Sequence, residues 1–296
     1  MHLQLKLQKN MKIYILIILL LVNSGIARSA GESSGNPSND CNTSSGLCDT
    51  TPTAFEMKVF QVGLCKSNPM STSTEVFDFD NSECVYVYKN DDGQLTGDIF
   101  SDNKTSLDST FVTVPNEGTY NYTFAIVSNV FKMATHHMVF NAGSDNSTNG
   151  KRYVSTSSGG SIEGNIGSEE RYDVTVNTFQ DGQLSCSNNN GYNSANSHSD
   201  TGVSGNGFIG RLTNDQLVLT KSGSGDISNN TAICDNVSRI ISIMEGSVVI
   251  GSDSEGVNIK ITSGKGTSRV NQGSGNGVVT GFSGKGSSFK YDVSTF

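Results

Sequence analysis

The residues best suited to chemistry in this chain are the adjacent pair His136 and His137, six cysteines, two Gly-Lys-Gly turns and two acidic clusters. Catalytic use of an imidazole needs an orienting acid on one ring nitrogen and a nucleophile at the other. Neighbouring side chains on a strand point to opposite faces, so His136 and His137 are poorly placed to grip one metal ion together. They are expected to be ordinary surface or half-buried side chains. The nucleophile pattern G-x-S-x-G occurs once, at Gly31-Glu32-Ser33-Ser34-Gly35, without the strand before it and helix after it that such an elbow requires.

Gly264-Lys265-Gly266 and Gly284-Lys285-Gly286 resemble fragments of a phosphate loop. That loop needs a Gly five residues before the Gly-Lys pair and Ser or Thr after the Lys. Ile259 and Val279 stand at the first position, Gly266 and Gly286 at the second, so both requirements fail twice. Asp78, Asp80, Asn81 and Glu83 form one acidic cluster; Asn90, Asp91, Asp92 and Asp98 form another. Oxygen ligands at such spacing can hold Ca²⁺, yet neither cluster has the Gly of the helix-loop-helix calcium loop in the right place, so solvated turns are expected. Asn-x-Ser/Thr triplets at Asn42, Asn103, Asn121, Asn146, Asn229 and Asn236 are acceptor sites only in a host that glycosylates exported proteins. No catalytic, cofactor-binding or metal-ligating residue is assigned, and a non-enzymatic protein is expected.

The cysteines depend on compartment. Ile13 to Val22 is an unbroken apolar run, preceded by Lys6, Lys9 and Lys12 and followed by the small residues Ser24, Gly25, Ala27, Ser29 and Ala30. A basic start, short apolar middle and small-residue exit describe a secretory signal peptide over residues 1–30. A spanning helix needs about 20 apolar residues, so no transmembrane helix is expected in the mature chain. The expected location is secreted, periplasmic or cell-surface. There, Cys41, Cys48, Cys65, Cys84, Cys186 and Cys234 read as three disulfides, with nearest-neighbour pairing Cys41–Cys48, Cys65–Cys84 and Cys186–Cys234 as the simplest of the fifteen pairings that six cysteines allow.

Removing the leader takes four of the 20 basic residues and none of the 28 acidic ones, leaving 16 against 28, a net of −12. Such a surface repels phosphate backbones and excludes nucleic acid as the expected partner. The expected partners are protein or glycan at the cell surface, or further copies of the chain.

Gly, Ser, Asn and Thr take the place of charged residues, which are only 16 %; these are poor helix formers and favour turns and strands. Residues 31–53 have almost no apolar content and are expected to be a flexible leader. Phe55 to Val59 alternates, then slips phase to Phe60, Val62 and Leu64, which calls for a bulge near Val59–Phe60. Cys84 to Tyr88 is a second strand, closed by the turn residues Asp91-Asp92-Gly93. Phe111 to Pro115, a turn at Asn116-Glu117-Gly118, and Tyr120 to Ile126 follow, with Tyr120, Tyr122, Phe124 and Ile126 on one face. This run resembles the loop-to-strand corner of secreted β-sandwich modules such as the transthyretin-like and immunoglobulin-like ones. The likeness spans residues 111–126 and carries no functional residue.

Further strands are expected at 172–176, 208–212, 216–220, 239–244, 247–250, 257–262, 278–282 and 289–293, with Glu245-Gly246 as a hairpin turn. The fold class is thus all-β: antiparallel, sandwich-like, with long Gly/Ser/Asn-rich loops after a signal peptide. Residues 55–180 form one β-sandwich-like domain, 181–206 a loop or junction, and 207–296 a second β-rich unit or an extension of the same sheets. An outer-membrane β-barrel is the alternative, since alternating strands and Gly-rich turns suit it; a secreted hydrolase is the second alternative.

Overall fold

A computed structural model describes residues 2–6, 14–18, 46–69, 77–99, 107–113, 115–139, 147–148, 150–176, 192–193, 208–217, 236–254, 257–263, 268–272, 278–284 and 289–295. Among the described residues seventeen strands follow in chain order. They are β1 (His2–Lys6), β2 (Tyr14–Ile18), β3 (Gly46–Thr50), β4 (Ala54–Cys65), β5 (Cys84–Leu95), β6 (Gly118–Ala134), β7 (His136–Met138), β8 (Arg152–Ser155) and β9 (Ser161–Glu163). Then come β10 (Tyr172–Thr175), β11 (Tyr192–Asn193), β12 (Phe208–Thr213), β13 (Arg239–Ile250), β14 (Val257–Ser263), β15 (Ser268–Gln272), β16 (Val279–Gly284) and β17 (Phe289–Thr295). One 3-10 turn, Ser109–Phe111, is the only helical element among the described residues. Every strand pairing among the described residues is antiparallel. The protein is all-β, as the alternation and the shortage of helix formers require.

The largest sheet has seven strands in the order β11-β12-β13-β6-β4-β5, with β10 also on β6. β6 is its spine. Along one edge it pairs β4 from Ala54↔Ala134 to Cys65↔Tyr122. Its other edge is shared: β13 covers Gly118 to Ser128 and β10 covers Val130 to Met133. Asn129 sits where one partner gives way to the other. Its N–H donates to Ser238 O (3.3 Å), its Nδ2 to Val237 O (3.1 Å), and its carbonyl accepts from Val176 N (2.7 Å). A buried main chain must find a partner for every polar group, and an amide side chain meets that need at a switch of partners.

Both faces of this sheet are apolar. On one, Phe55, Met57, Val62, Ala125, Val127, Phe131, Leu212 and Ile240 join a single cluster with Tyr153 of β8, Val270 of β15 and Val279 and Phe282 of β16. That cluster ties the large sheet to two three-stranded ones, β7-β8-β9 and β16-β15-β3. On the other face lie Phe60, Cys65, Phe124, Ile126, Ile241 and Ile243, covered by Phe77. Phe79 and Tyr86 flank Phe124 with ring centroids 4.8 and 5.7 Å away, and the Arg239 guanidinium lies 3.5 Å over the Phe60 ring. A fourth sheet runs β17-β14-β1-β2.

The expected bulge is present: pairing shifts register between Met57 and Val59 and between Val59 and Gln61. Several expectations are corrected. Asp91-Asp92-Gly93 does not end its strand; β5 continues to Leu95, and Lys89↔Gln61 then Gln94↔Val59 shows that the intervening residues bulge outward. Gly93, at φ 69°, takes the left-handed conformation that such a detour requires. Glu245-Gly246 is not a hairpin either. β13 runs straight through it, and the spare residues are absorbed as a bulge between Glu245 and Val248, because the strands on both sides of it pair with the same spine. At that point Tyr120 leaves the face of Tyr122, Phe124 and Ile126 and joins the Ala125 and Val127 cluster.

Residues 31–53 are not wholly without structure: β3 arises within them and pairs β15. β11 arises within 181–206. The apolar run at residues 13–22 contributes β2. Phe111 closes the 3-10 turn, and only an isolated bridge, Tyr88↔Val112, stands where a strand was expected. β12 and β13, from the stretch read as a second unit or an extension, lie in the large sheet. The Ser33 motif and most of 216–220 lie outside the described residues.

Gly63 of β4 lies tight against both the spine and β5. A Cβ there would lie 2.4 Å from the Phe124 ring and 2.5 Å from Val85 O. The ring could turn, but the carbonyl of a paired strand cannot retreat without unpairing. Gly63→Ala is expected to destabilise the fold by about 1–3 kcal/mol, the usual cost of overpacking, measured by urea unfolding; an unchanged midpoint would show that β4 and β5 are not held this closely.

Candidate functional site

The site forms where β6 ends. Thr135 separates β6 from β7, and its backbone is clamped to β8: Thr135 N–H donates to Ser155 Oγ (3.1 Å) and Thr135 O accepts from Ser155 N (2.9 Å). Ser155 Oγ in turn donates to Glu170 O (2.7 Å). This clamp fixes the direction of the next two side chains, His136 and His137.

The two histidines do point apart, as strand geometry demands, but both are buried, at 1 % and 2 % exposure. The expectation of surface or half-buried side chains is therefore corrected. β7 pairs β8 through His136↔Val154 and His137↔Tyr153, and the small sheets enclose it. His136 Nδ1 lies 2.5 Å from Glu169 Oε1, and the carboxylate is itself 7 % exposed. Glu169 Oε2 accepts from Gly167 N (2.7 Å), so the loop before β10 folds its own backbone around the acid. With Nδ1 donating to the carboxylate, Nε2 is the remaining ring nitrogen; it is buried and makes no hydrogen bond among the described residues. His137 Nε2 lies 3.4 Å from Gln272 Nε2 of β15.

Beside the histidines three buried hydroxyls meet: Thr135 Oγ1 to Tyr172 OH (3.2 Å), Thr135 Oγ1 to Ser268 Oγ (3.1 Å) and Tyr172 OH to Ser268 Oγ (3.3 Å). They come from the β6–β7 junction, β10 and β15. Burial pushes the Tyr172 phenol above its ordinary range, against the opposing hydrogen bonds from Ser268 and Thr135. The phenol stays neutral at any ordinary pH.

Chemically, His136 with Glu169 is half of a general-base apparatus: an imidazole whose tautomer is set by a buried acid. The missing half is a hydroxyl or thiol at Nε2. Sequence reasoning asked for an orienting acid but had no way to choose Glu169, 33 residues away; nothing local to Gly167-Ser168-Glu169 distinguishes it from other acidic turns.

The remaining sequence candidates are placed elsewhere. Asp78 accepts from Asn81 N and Nδ2 at 3.0 and 2.6 Å, which lowers its carboxyl below the usual range. Glu83 pairs with Lys66, Asp98 accepts from Phe55 N and Asn90 from Asp92 N. Among the described residues no group of three or more His, Cys, Asp and Glu is arranged to hold a metal ion. Cys65 and Cys84 form a disulfide as register partners across β4 and β5. Cys41, Cys186 and Cys234 lie outside the described residues, as does the side chain of Cys48.

Fold and site together define an all-β chain with a buried histidine–carboxylate joint. Comparison with family models, with curated proteins and with solved structures gives no match. No helix of the described residues is long and apolar enough to cross a membrane.

Removing the acid while leaving the buried imidazole should be costly: Glu169→Ala is expected to lose about 1–3 kcal/mol, the cost of leaving a buried donor without its acceptor, read by chemical denaturation at neutral pH. A loss below that of an exposed ion pair would show that the joint carries no structural weight. For Tyr172, the folded phenol holds its proton more tightly than the unfolded one. Its contribution is therefore complete below the unfolded value of about 10 and is lost as pH rises through the higher folded one. Tyr172→Phe should flatten the alkaline fall in stability, seen as a smaller drop in melting temperature between neutral and strongly alkaline buffer.

Proposed function

We propose that the chain is exported and works outside the cytoplasm as a non-enzymatic, disulfide-stapled β protein, a structural or adhesive module at or beyond the cell surface. Its partners on this reading are protein, glycan or further copies of itself. The observation that carries it is the Cys65–Cys84 bond, since disulfides persist where the surroundings are oxidising. It closes the 66–83 loop at its base, and that loop holds Phe77 and Phe79 against the second apolar face.

The leader pattern agrees with this location, and the acidic balance agrees with a protein partner over nucleic acid. The His136–Glu169 pair supports the reading too. Its imidazole is enclosed between β8 and the 165–170 loop, and its bonds cross-link elements of the fold. The hydrolase alternative needs that imidazole open to a substrate.

Production in a secreting host tests the proposal. The expected product is released to the medium, stays in aqueous buffer without detergent and begins just after Ala27 or Ser29. A non-reducing peptide map should give Cys65–Cys84 together with Cys41–Cys48 and Cys186–Cys234. Material that needs detergent would favour the barrel. Turnover of simple ester or glycoside substrates that vanishes in His136→Ala would overturn the non-enzymatic reading.

A further inference from the structure

Strand β14 has two partners. On one side β17 pairs it along its whole length, from Val257↔Thr295 to Ser263↔Phe289. On the other, β1 pairs it through His2↔Lys260, Leu3↔Ile259 and Gln4↔Asn258, and β2 pairs β1 in turn. Both β1 and β2 lie within residues 1–30, the stretch whose basic start, apolar run and small-residue exit read as an export leader. Cleavage after Ala27 or Ser29 removes both strands together. The outer edge of β14 then presents a row of backbone N–H and C=O groups with no partner strand, a template for another chain. The β14–β17 pair left behind is a two-stranded ribbon held to the rest of the fold where β17 meets β13.

Resting on the export reading above, we propose that the edge of β14 vacated by the leader is filled by β14 of a second copy, antiparallel about a two-fold axis. The sheet then runs β17-β14-β14-β17 across the two chains and keeps its four-strand width. The leader shows what the edge accepts, namely an antiparallel strand of alternating apolar and polar residues. Leu3-Gln4-Leu5 has that pattern, and so does Val257-Asn258-Ile259-Lys260-Ile261. With Ile259 opposite its own copy, Val257 meets Ile261 and Asn258 meets Lys260, so no like charges face each other.

Charge does not oppose pairing at this edge. Acidic residues outnumber basic ones 28 to 20 in the chain. Yet Lys260 is the only charged residue of β14, and in β17 Lys290 offsets Asp292. Two copies can therefore meet here without bringing their acidic surplus together. Because the pairing is isologous, it uses the edge of both copies at once and closes at two chains. In the precursor the same edge is occupied, so pairing waits for removal of the leader.

The test starts from the full coding chain in a secreting host. The N-terminus of the released product is sequenced, and its molar mass is measured by light scattering with and without a synthetic peptide of residues 1–12. The expected product lacks the leader, has twice the mass of one mature chain, and falls two-fold in mass when the peptide is added. Adjacent N–H groups on a strand point to opposite edges, so Ile259→Pro and Lys260→Pro each block a different edge of β14. The variant that blocks the outer edge is expected to be secreted as a monomer. A cleaved, secreted monomer overturns the dimer and leaves the export reading standing. A dimer that resists both the peptide and the proline variants overturns it as well, as do a ladder of larger species or a released product that keeps residues 1–30. Retention of the chain inside the cell overturns the export reading and the dimer with it.

Discussion

The structure depends on the backbone of one long strand being satisfied on both edges while apolar residues cover both its faces. β6 meets β4 along one edge and is passed from β13 to β10 along the other, with the Asn129 amide filling the gap. A strand in that position has no solvent to fall back on, so each neighbour is bound by the need to complete its hydrogen bonds. Register shifts fall on β4, β5 and β13, and on β6 itself, where Met57↔Phe131 is followed by Val59↔Val127 and the extra residues surround Asn129.

The same requirement shapes the joint at the end of β6. There the chain leaves the large sheet for a small one, and the backbone groups and side chains of Thr135, His136 and His137 are buried during the change. Hydroxyls, an imidazole and a carboxylate meet the demand that a regular ladder no longer meets. The cluster joins β7, β8, β10 and β15, which are far apart in sequence. Its groups cross-link the layers as backbone bonds do within a sheet, and that is the reason a histidine and an acid can be nearly inaccessible yet paired.

Much of the strand content was legible in advance. Phe55 to Leu64 announced both a strand and its bulge, because alternation and its phase slip are local properties. The 172–176, 208–212, 257–262 and 289–293 runs likewise became strands close to their expected bounds. β7, β8, β9 and β15 were not foreseen. They are short or polar; Ser268 and Gln272 are buried among other polar groups, so the usual apolar signal is missing. Glu245-Gly246 misled for the opposite reason. Its local chemistry suits a turn, but the strand beyond it pairs with β6 in the same direction, and a bulge costs less than breaking that ladder.

Composition and alternation by themselves determined the all-β class and the antiparallel character, because each follows from what a residue and its near neighbours prefer. The spacing of the cysteines made Cys65–Cys84 the nearest choice, and register across β4 and β5 agrees with it. Only the tertiary structure decided that Glu169 faces His136, that Thr135, Tyr172 and Ser268 share one hydroxyl cluster, and that β10 and β13 divide an edge of β6. Those contacts join residues distant along the chain. What selects them is the three-dimensional requirement that every buried polar group find a partner, and no local pattern in a sequence encodes which distant partner that will be.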